Sequence, residues 1–165
     1  MGGIVVRRYE SSDAEACCRV VNSAVVDMDG LNDAARRHIV ASNTPKQLGG
    51  DLASWVSFVA EVDGSGIVGV GALDGGEAKR VYVAPGTSGR GVGRALIETL
   101  EAEAARRGID VVVLDASPSS VAFYETLGYA AHDGAGFSIG EAEFRFVKMS
   151  KALAVSGPID SDKDS

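Results

Sequence analysis

Residues Arg80 to Leu96 read RVYVAPGTSGRGVGRAL, and the fold turns on how this stretch is read. Val81-Tyr82-Val83 is a β-branched and aromatic run that favours a strand. It stops at Ala84-Pro85-Gly86, and glycines at 86, 89, 91 and 93 lead into RALIETLEAEAARR. There Ala95, Leu96, Leu100 and Ala104, with Ile97 nearby, fall on one side of a helix. The stretch is therefore a strand, a tight loop and a helix N-terminus. Glycine lets the backbone turn sharply and come close to a ligand. The first helical turn leaves N–H donors unpaired with a partial positive charge behind them, so such a corner suits phosphate or pyrophosphate. A purely structural turn needs one or two glycines, whereas this loop spaces three at every second residue, with Arg90 and Arg94 among them. No Gly-Lys-Ser/Thr follows, which excludes a P-loop. A dinucleotide fingerprint would need a glycine where Arg94 stands.

Working outward, Trp55–Val62 and Ile67–Leu73 alternate as strands about the turn Asp63-Gly64-Ser65-Gly66, and Asp74-Gly75-Gly76 returns the chain into a third strand, Glu77–Val83. Three antiparallel strands thus feed the glycine corner. Beyond the helix, which ends at Arg106-Arg107-Gly108, the continuous apolar run Val111–Leu114 predicts a strand buried on both faces and parallel to 77–83. Ser117-Pro118 opens another helix running to Leu127 and stopped by Gly128. Tyr129–Asp133 and Glu143–Lys151 form a closing hairpin. At the front, Ile4–Tyr9 is a strand, and Ser12-Asp13 caps a helix over Ala14–Val26. Asp27 to Gly50 is the least patterned stretch, with a helix expected at Asn32–Ala41, Asn32 as its cap, and a loop through Ser42–Pro45.

The chain of 165 residues suits one domain with a real core, here 1–153, followed by a polar tail at 154–165 expected to be mobile. A formal charge of −7 disfavours a broad basic face for nucleic acid. Cys17 and Cys18 are adjacent within a helix, where neighbouring side chains diverge, so neither a disulfide between them nor a metal pair is expected. No apolar run approaches roughly 20 residues, and no signal peptide is read at the start. A cytoplasmic protein with no membrane span is expected.

Three segments together resemble the GCN5-related N-acetyltransferase (GNAT) superfamily over roughly residues 3 to 153. They are GEAKRVYVAPGTSGRGVGRALIETLEAEA (76–104), DVVVLDASPSSVAFYETLGY (110–129) and AEVDGSGIVGVGAL (60–73). Ser88 to Gly93 is similar to the family's acyl-CoA signature, Gln/Arg-x-x-Gly-x-Gly/Ala, with Ser88 in place of Gln or Arg. The resemblance implies an α/β (α+β) fold: a central mixed, mostly antiparallel sheet flanked by helices, with a V-shaped splay between strands 4 and 5. It implies acetyl-CoA as co-substrate, no metal, and acetyl transfer to a primary amine, with a small molecule as the default acceptor. A protein N-terminus or lysine is the other acceptor class, and a non-catalytic acyl-CoA-binding module is the alternative to an enzyme. A homodimer is open.

The resemblance also assigns residues. The pyrophosphate of coenzyme A would meet main-chain N–H groups of Gly89, Arg90, Gly91, Val92, Gly93 and Arg94, beside Ser88. The pantetheine would pair with backbone of the strand Val81, Tyr82, Val83, and the N–H of Val83 or a neighbour would serve the oxyanion. Ser117 and Ser120 stand beside it, Ser117 either bonding the pantetheine or capping the helix. Tyr124 matches the tyrosine whose hydroxyl faces the CoA sulfur as general acid; on its own it would read as a core aromatic. Glu77, 14 residues before Gly91, is the general-base candidate, a solvated strand-end glutamate being the other reading. Lys79, Arg80, Arg90 and Arg94 would make the cofactor cleft locally positive. His38 and His132 lie outside all three motifs and read as packing or surface residues. Acceptor selectivity would come largely from the segment Asp27–Leu52.

Overall fold

The computed structural model describes residues 3–87 and 89–154. The expectations for Ser88 and for the tail at 155–165 lie outside the described residues. Seven strands form one sheet in the order β1-β2-β3-β4-β5-β7-β6: β1 (Ile4–Arg8), β2 (Val56–Val62), β3 (Gly66–Asp74), β4 (Glu77–Val83), β5 (Val111–Ala116), β6 (Ala130–Ile139) and β7 (Ala142–Ala152). Five helices cover it: α1 (Ala14–Val26), α2 (Asp33–Ser42), α3 (Pro45–Ser54), α4 (Val92–Arg106) and α5 (Val121–Thr126). Neighbouring strands are antiparallel except β4 and β5, which run parallel. This is the mixed architecture that the resemblance implies.

Two cores explain the layering. On one face, Val92, Leu96, Ile97, Leu100 and Ala104 of α4 meet Ala60 and Val62 of β2 and Val112, Leu114 and Ala116 of β5. On the other, Cys17, Val20, Val21 and Val25 of α1 and Leu48 and Leu52 of α3 meet Val59, Val70 and Ala72. Burial of each such side chain stabilises by about 1.5–3 kcal/mol. Cys17 and Cys18 are both free and buried, and burial pushes the Cys17 thiol up to about 12.

Four expectations are corrected. Helix α3 lies where the sequence predicts a loop and unpatterned chain, because Gly49 and Gly50 weaken its propensity. Thr44 nevertheless caps it, accepting from the Gln47 N–H at 3.2 Å, Pro45 starts it, and Leu48 and Leu52 bury against the second core. Strand β5 is not buried on both faces: Val112, Leu114 and Ala116 are inside, but Val111 and Val113 are 44% and 43% exposed. The layer of α1 and α3 rests on β2 to β4 and leaves that face of β5 open. The expected helix from Ser117 divides into a 3-10 turn, Pro118–Ser120, and the shorter α5. The closing strands run longer than read, because Gly134 and Gly136 disguise β6, which is solvent-exposed along nearly its whole length.

At the N-terminus the chain enters α1 through a 3-10 turn, Ser11–Asp13, rather than a simple Ser-Asp cap. Asp13 accepts from the Glu10 N–H at 2.8 Å and pairs with Arg7 at 2.9 Å. Arg7, first, holds the Asp13 carboxyl below the ordinary carboxylate range, and the Glu10 N–H adds to this against the effect of burial. Among the described residues, no helix is long and apolar enough to cross a membrane.

Candidate active site

The site begins where β4 and β5 part. Their registered pairing is Glu77 with Val113, supported by the Val113 N–H donating to the Gly76 carbonyl at 2.9 Å. Past that point β4 keeps β3 on one side and opens on the other. A bulge opposite Val70–Ala72 adds an extra residue to β4, and within it Arg80 takes φ +55°. That conformation strains a side-chain-bearing residue by about 1–2 kcal/mol. Bulges bend strands and re-aim side chains, and this one sits on the wall of a cavity of about 630 Å³.

At the open end of β4, Thr87 closes a 3-10 turn onto the Ala84 carbonyl, its N–H at 2.9 Å and its hydroxyl at 2.8 Å. Gly89 and Gly91 then take φ +80° and +85°, with Gly91 as the cap of α4. These left-handed turns are what the alternate glycines are for. Gly93 is needed for a different reason: a Cβ there would lie 3.1 Å from the Phe123 ring. Among the described residues the N–H groups of Gly91, Val92, Gly93 and Arg94 find no backbone acceptor, whereas the Arg90 N–H already donates to the Thr87 carbonyl at 3.3 Å. The cradle fits an anion such as a pyrophosphate, the Arg90 N–H contributing less than the sequence suggests.

The positive charge expected around the cleft is mostly neutralised. Lys79 pairs with Asp74 at 3.0 Å and Glu77 at 3.8 Å, Arg80 with Asp51 at 3.0 Å, and Arg94 with Glu98 at 3.2 Å.

Val81, Tyr82, Ser117, Ser120, Tyr124 and Glu77 all line the cavity; Val83 does not, pairing instead with Gly69 at the strand end. Ser117 and Ser120 bond to each other, Oγ to Oγ, at 2.7 Å, and the Ser117 hydroxyl caps nothing. Tyr124 is buried, with its ring edge-on to Phe123 at 5.1 Å and to Tyr129 at 5.8 Å. Burial, with the Tyr82 phenol nearby, pushes its hydroxyl up to about 12. It therefore stays protonated at neutral pH, and its O–H is there to donate. Glu77 stands at the closed end of the splay with its side chain 40% exposed. His38 packs edge-on against Phe144, and His132 bonds Ser150 at the surface.

The cavity extends well beyond the residues that the sequence singles out. Met28, Asp29, Leu31, Ile39 and Asp51 line it from the segment expected to select the acceptor. Asp115 lines it from the segment 110–129 already singled out, and Trp55, Phe137, Phe144, Arg145 and Phe146 line it with no motif to announce them. A second cavity of about 510 Å³ adjoins through Ile39, Asp51, Arg80, Phe137 and Phe144. The available signal was compositional: three phenylalanines, at 137, 144 and 146, gathered in the last hairpin.

Comparison with known proteins places this geometry. The solved GCN5-related N-acetyltransferase from Rhodopseudomonas palustris, titled as an aminotransferase of class II, superposes with a TM-score of 0.84 at 25% identity, covering 93% of this chain and 98% of that one. The PaiA N-acetyltransferase of Thermoplasma acidophilum, solved with coenzyme A, shares the fold at a TM-score of 0.72 and 15% identity, covering 92% and 99%. A glucosamine 6-phosphate N-acetyltransferase from Trypanosoma brucei brucei is 41% identical over 58 residues, which span 35% of this chain and 40% of that relative's length. The family model described as the acetyltransferase (GNAT) domain matches residues 31–153. With the splayed β4–β5 pair and the glycine cradle in place, the chain belongs to the GNAT family of acetyltransferases.

Proposed function

We propose that the protein transfers an acetyl group from acetyl-CoA to the primary amine of a small molecule. The observation that carries this is that the cradle at Gly91–Arg94 follows directly from the end of β4, whose Val81 and Tyr82 line one cavity with Tyr124, and that Gly93 lies against Phe123, the chain neighbour of Tyr124. The amino-sugar acetyltransferase that matches part of the chain supports a small acceptor.

Acetyl-CoA supplies an activated thioester: as the amine nitrogen bonds the carbonyl carbon, the carbon–sulfur bond breaks, the nitrogen gives up a proton and the sulfur takes one. The chain's residues divide this work. Main-chain N–H groups of Gly91, Val92, Gly93 and Arg94 hold the pyrophosphate, with Gly89 shaping the loop. The exposed edge of β4 at Val81 and Tyr82 lies alongside the pantetheine, next to Ser117 and Ser120, and the N–H of Val83 or a neighbour serves the oxyanion. The Tyr124 hydroxyl hydrogen-bonds the departing sulfur and supplies its proton as negative charge develops there. Glu77 takes the amine proton through water, its carboxylate held toward the cleft by Lys79.

Isothermal titration with acetyl-CoA, CoA and ATP, followed by an amine screen read by thiol release, tests the reading. Both CoA species are expected to bind and ATP not, with glucosamine 6-phosphate and small amines turned over. Absence of acetyl-CoA binding would remove the assignment, and CoA binding without transfer to any amine would leave a binding module.

A further inference from the structure

Two cavities adjoin at the end of the cleft away from the glycine cradle, and the reaction above uses only the first. The main cavity, about 630 Å³, is walled in part by Val81, Tyr82 and Tyr124, so cofactor and acceptor must share it. The second is about 510 Å³, and among the described residues its lining includes none of those assigned to coenzyme A. Ile39, Asp51, Arg80, Phe137 and Phe144 line both cavities and form the boundary between them.

The register of the last hairpin builds one wall of the second cavity. Phe137 pairs with Phe144 and Ile139 with Ala142, so these side chains share one face of β6–β7. Helix α2 covers part of that face: Ala35 packs with Ala142 and Phe144, and His38 meets the Phe144 ring edge-on at 5.9 Å. Phe137 stacks on Phe144 with centroids 4.6 Å apart and planes 20° apart, yet it stays 52% exposed, and Ile139 47%. Large apolar side chains left exposed on a cavity wall mark a binding surface. The rest of the lining comes from the corner between α2 and α3, through Ser42, Asn43 and Gln47. The carboxylate and guanidinium at the boundary, Asp51 and Arg80, pair with each other at 3.0 Å. An uncharged body entering the second cavity therefore desolvates no unpaired carboxylate or guanidinium there.

We propose that the second cavity is the distal part of the acceptor site. The acceptor is an elongated primary amine: its nitrogen reacts in the main cavity, and its far end is an uncharged aromatic body laid on Phe137. Aromatic rings pair by offset stacking or edge-to-face contact, and the exposed Phe137 ring extends the stack begun by Phe144. This rests on the acetyltransferase reading above and names the class of its acceptor. Phe137 is a specificity-determining residue, acting on the end of the acceptor away from the reacting nitrogen.

The test compares 2-phenylethylamine with ethylamine and 4-phenylbutylamine with butylamine, each at a pH that leaves a comparable fraction of free amine. The wild-type protein should favour the aromatic member of at least one pair by about 10-fold in kcat/KM, or about 1.4 kcal/mol. Phe137→Ala removes the wall and should bring that ratio near one through KM. Ser42→Trp fills the second cavity from the end of α2 and should do the same. Titration with acetyl-CoA reports whether each variant has kept its fold. Equal kcat/KM within both pairs, a preference that survives either variant, or no turnover of any of the four amines by protein that binds acetyl-CoA overturns the proposal. Loss of acetyl-CoA binding by the wild-type protein would instead strike the earlier reading.

Discussion

The two halves of the cleft are built in opposite ways. The cofactor half is local: β4, the glycine loop, α4, β5 and α5 follow one another between Glu77 and Thr126. On the proposed function its key groups are main-chain N–H donors and one tyrosine. The half proposed for the acceptor is assembled from pieces far apart in the chain and lined by side chains, among them Met28, Leu31, Trp55, Phe137 and Phe144. Chemistry that depends on backbone conformation leaves a compact trace, because only glycine tolerates the left-handed turns at 89 and 91. Chemistry that depends on side chains converging through space leaves almost none.

The sharpest way to break this division is at Tyr124, the one side chain on which the cofactor half depends. Tyr124→Phe should lower kcat by about 10³-fold, within the range for a lost acid–base group, with the Kd for acetyl-CoA little changed. An unchanged kcat would make the cofactor half a matter of backbone alone.

The same burial has a pH signature. The folded value for Tyr124 is raised above its unfolded value near 10, so the folded state keeps a proton that the unfolded chain releases. Stability is thus fully present below about pH 10 and falls as pH rises toward about 12, by about 3 kcal/mol for this group. Tyr129 moves the same way, through burial and its bond to Glu101 at 2.7 Å. Denaturant unfolding between pH 9 and 12 should show the decline, and Tyr124→Phe should reduce it; a flat profile contradicts the buried phenol.

On the acceptor side, Asn32 joins the halves of the wall. Its Oδ1 accepts from the Ala35 and Glu143 N–H groups at 2.9 and 3.0 Å, and its Nδ2 donates to the Glu141 carbonyl at 2.9 Å. Asn32→Ala should cost about 1–2 kcal/mol and raise KM for the amine, with the acetyl-CoA Kd unmoved. A change in cofactor affinity of equal size would show that the two halves are not separable.

Legibility followed the same division. The strand Glu77–Val83, the hairpin before it and helix Ala14–Val26 could be read directly, since each keeps one period between clear turn or cap signals. Helix α3 hid behind Gly49-Gly50, because the burial of Leu48 and Leu52 that rescues it is tertiary. Strand β5 misled through its composition: Val111 and Val113 are apolar yet face outward, and nothing local says which helix layer stops short of it. At the site, the glycine cradle was signalled by spacing and Tyr124 only by the family resemblance, whereas the phenylalanine wall depends on β6–β7 meeting the chain after α1.

That meeting has a consequence in time. Asn32 and Glu143 are 111 residues apart, and such contacts form late because the intervening loop entropy must be overcome first. The glycine cradle needs only its own neighbourhood. On that ground the nucleotide end of the cleft is expected to form before the acceptor end, and hydrogen exchange should show the acceptor end opening first.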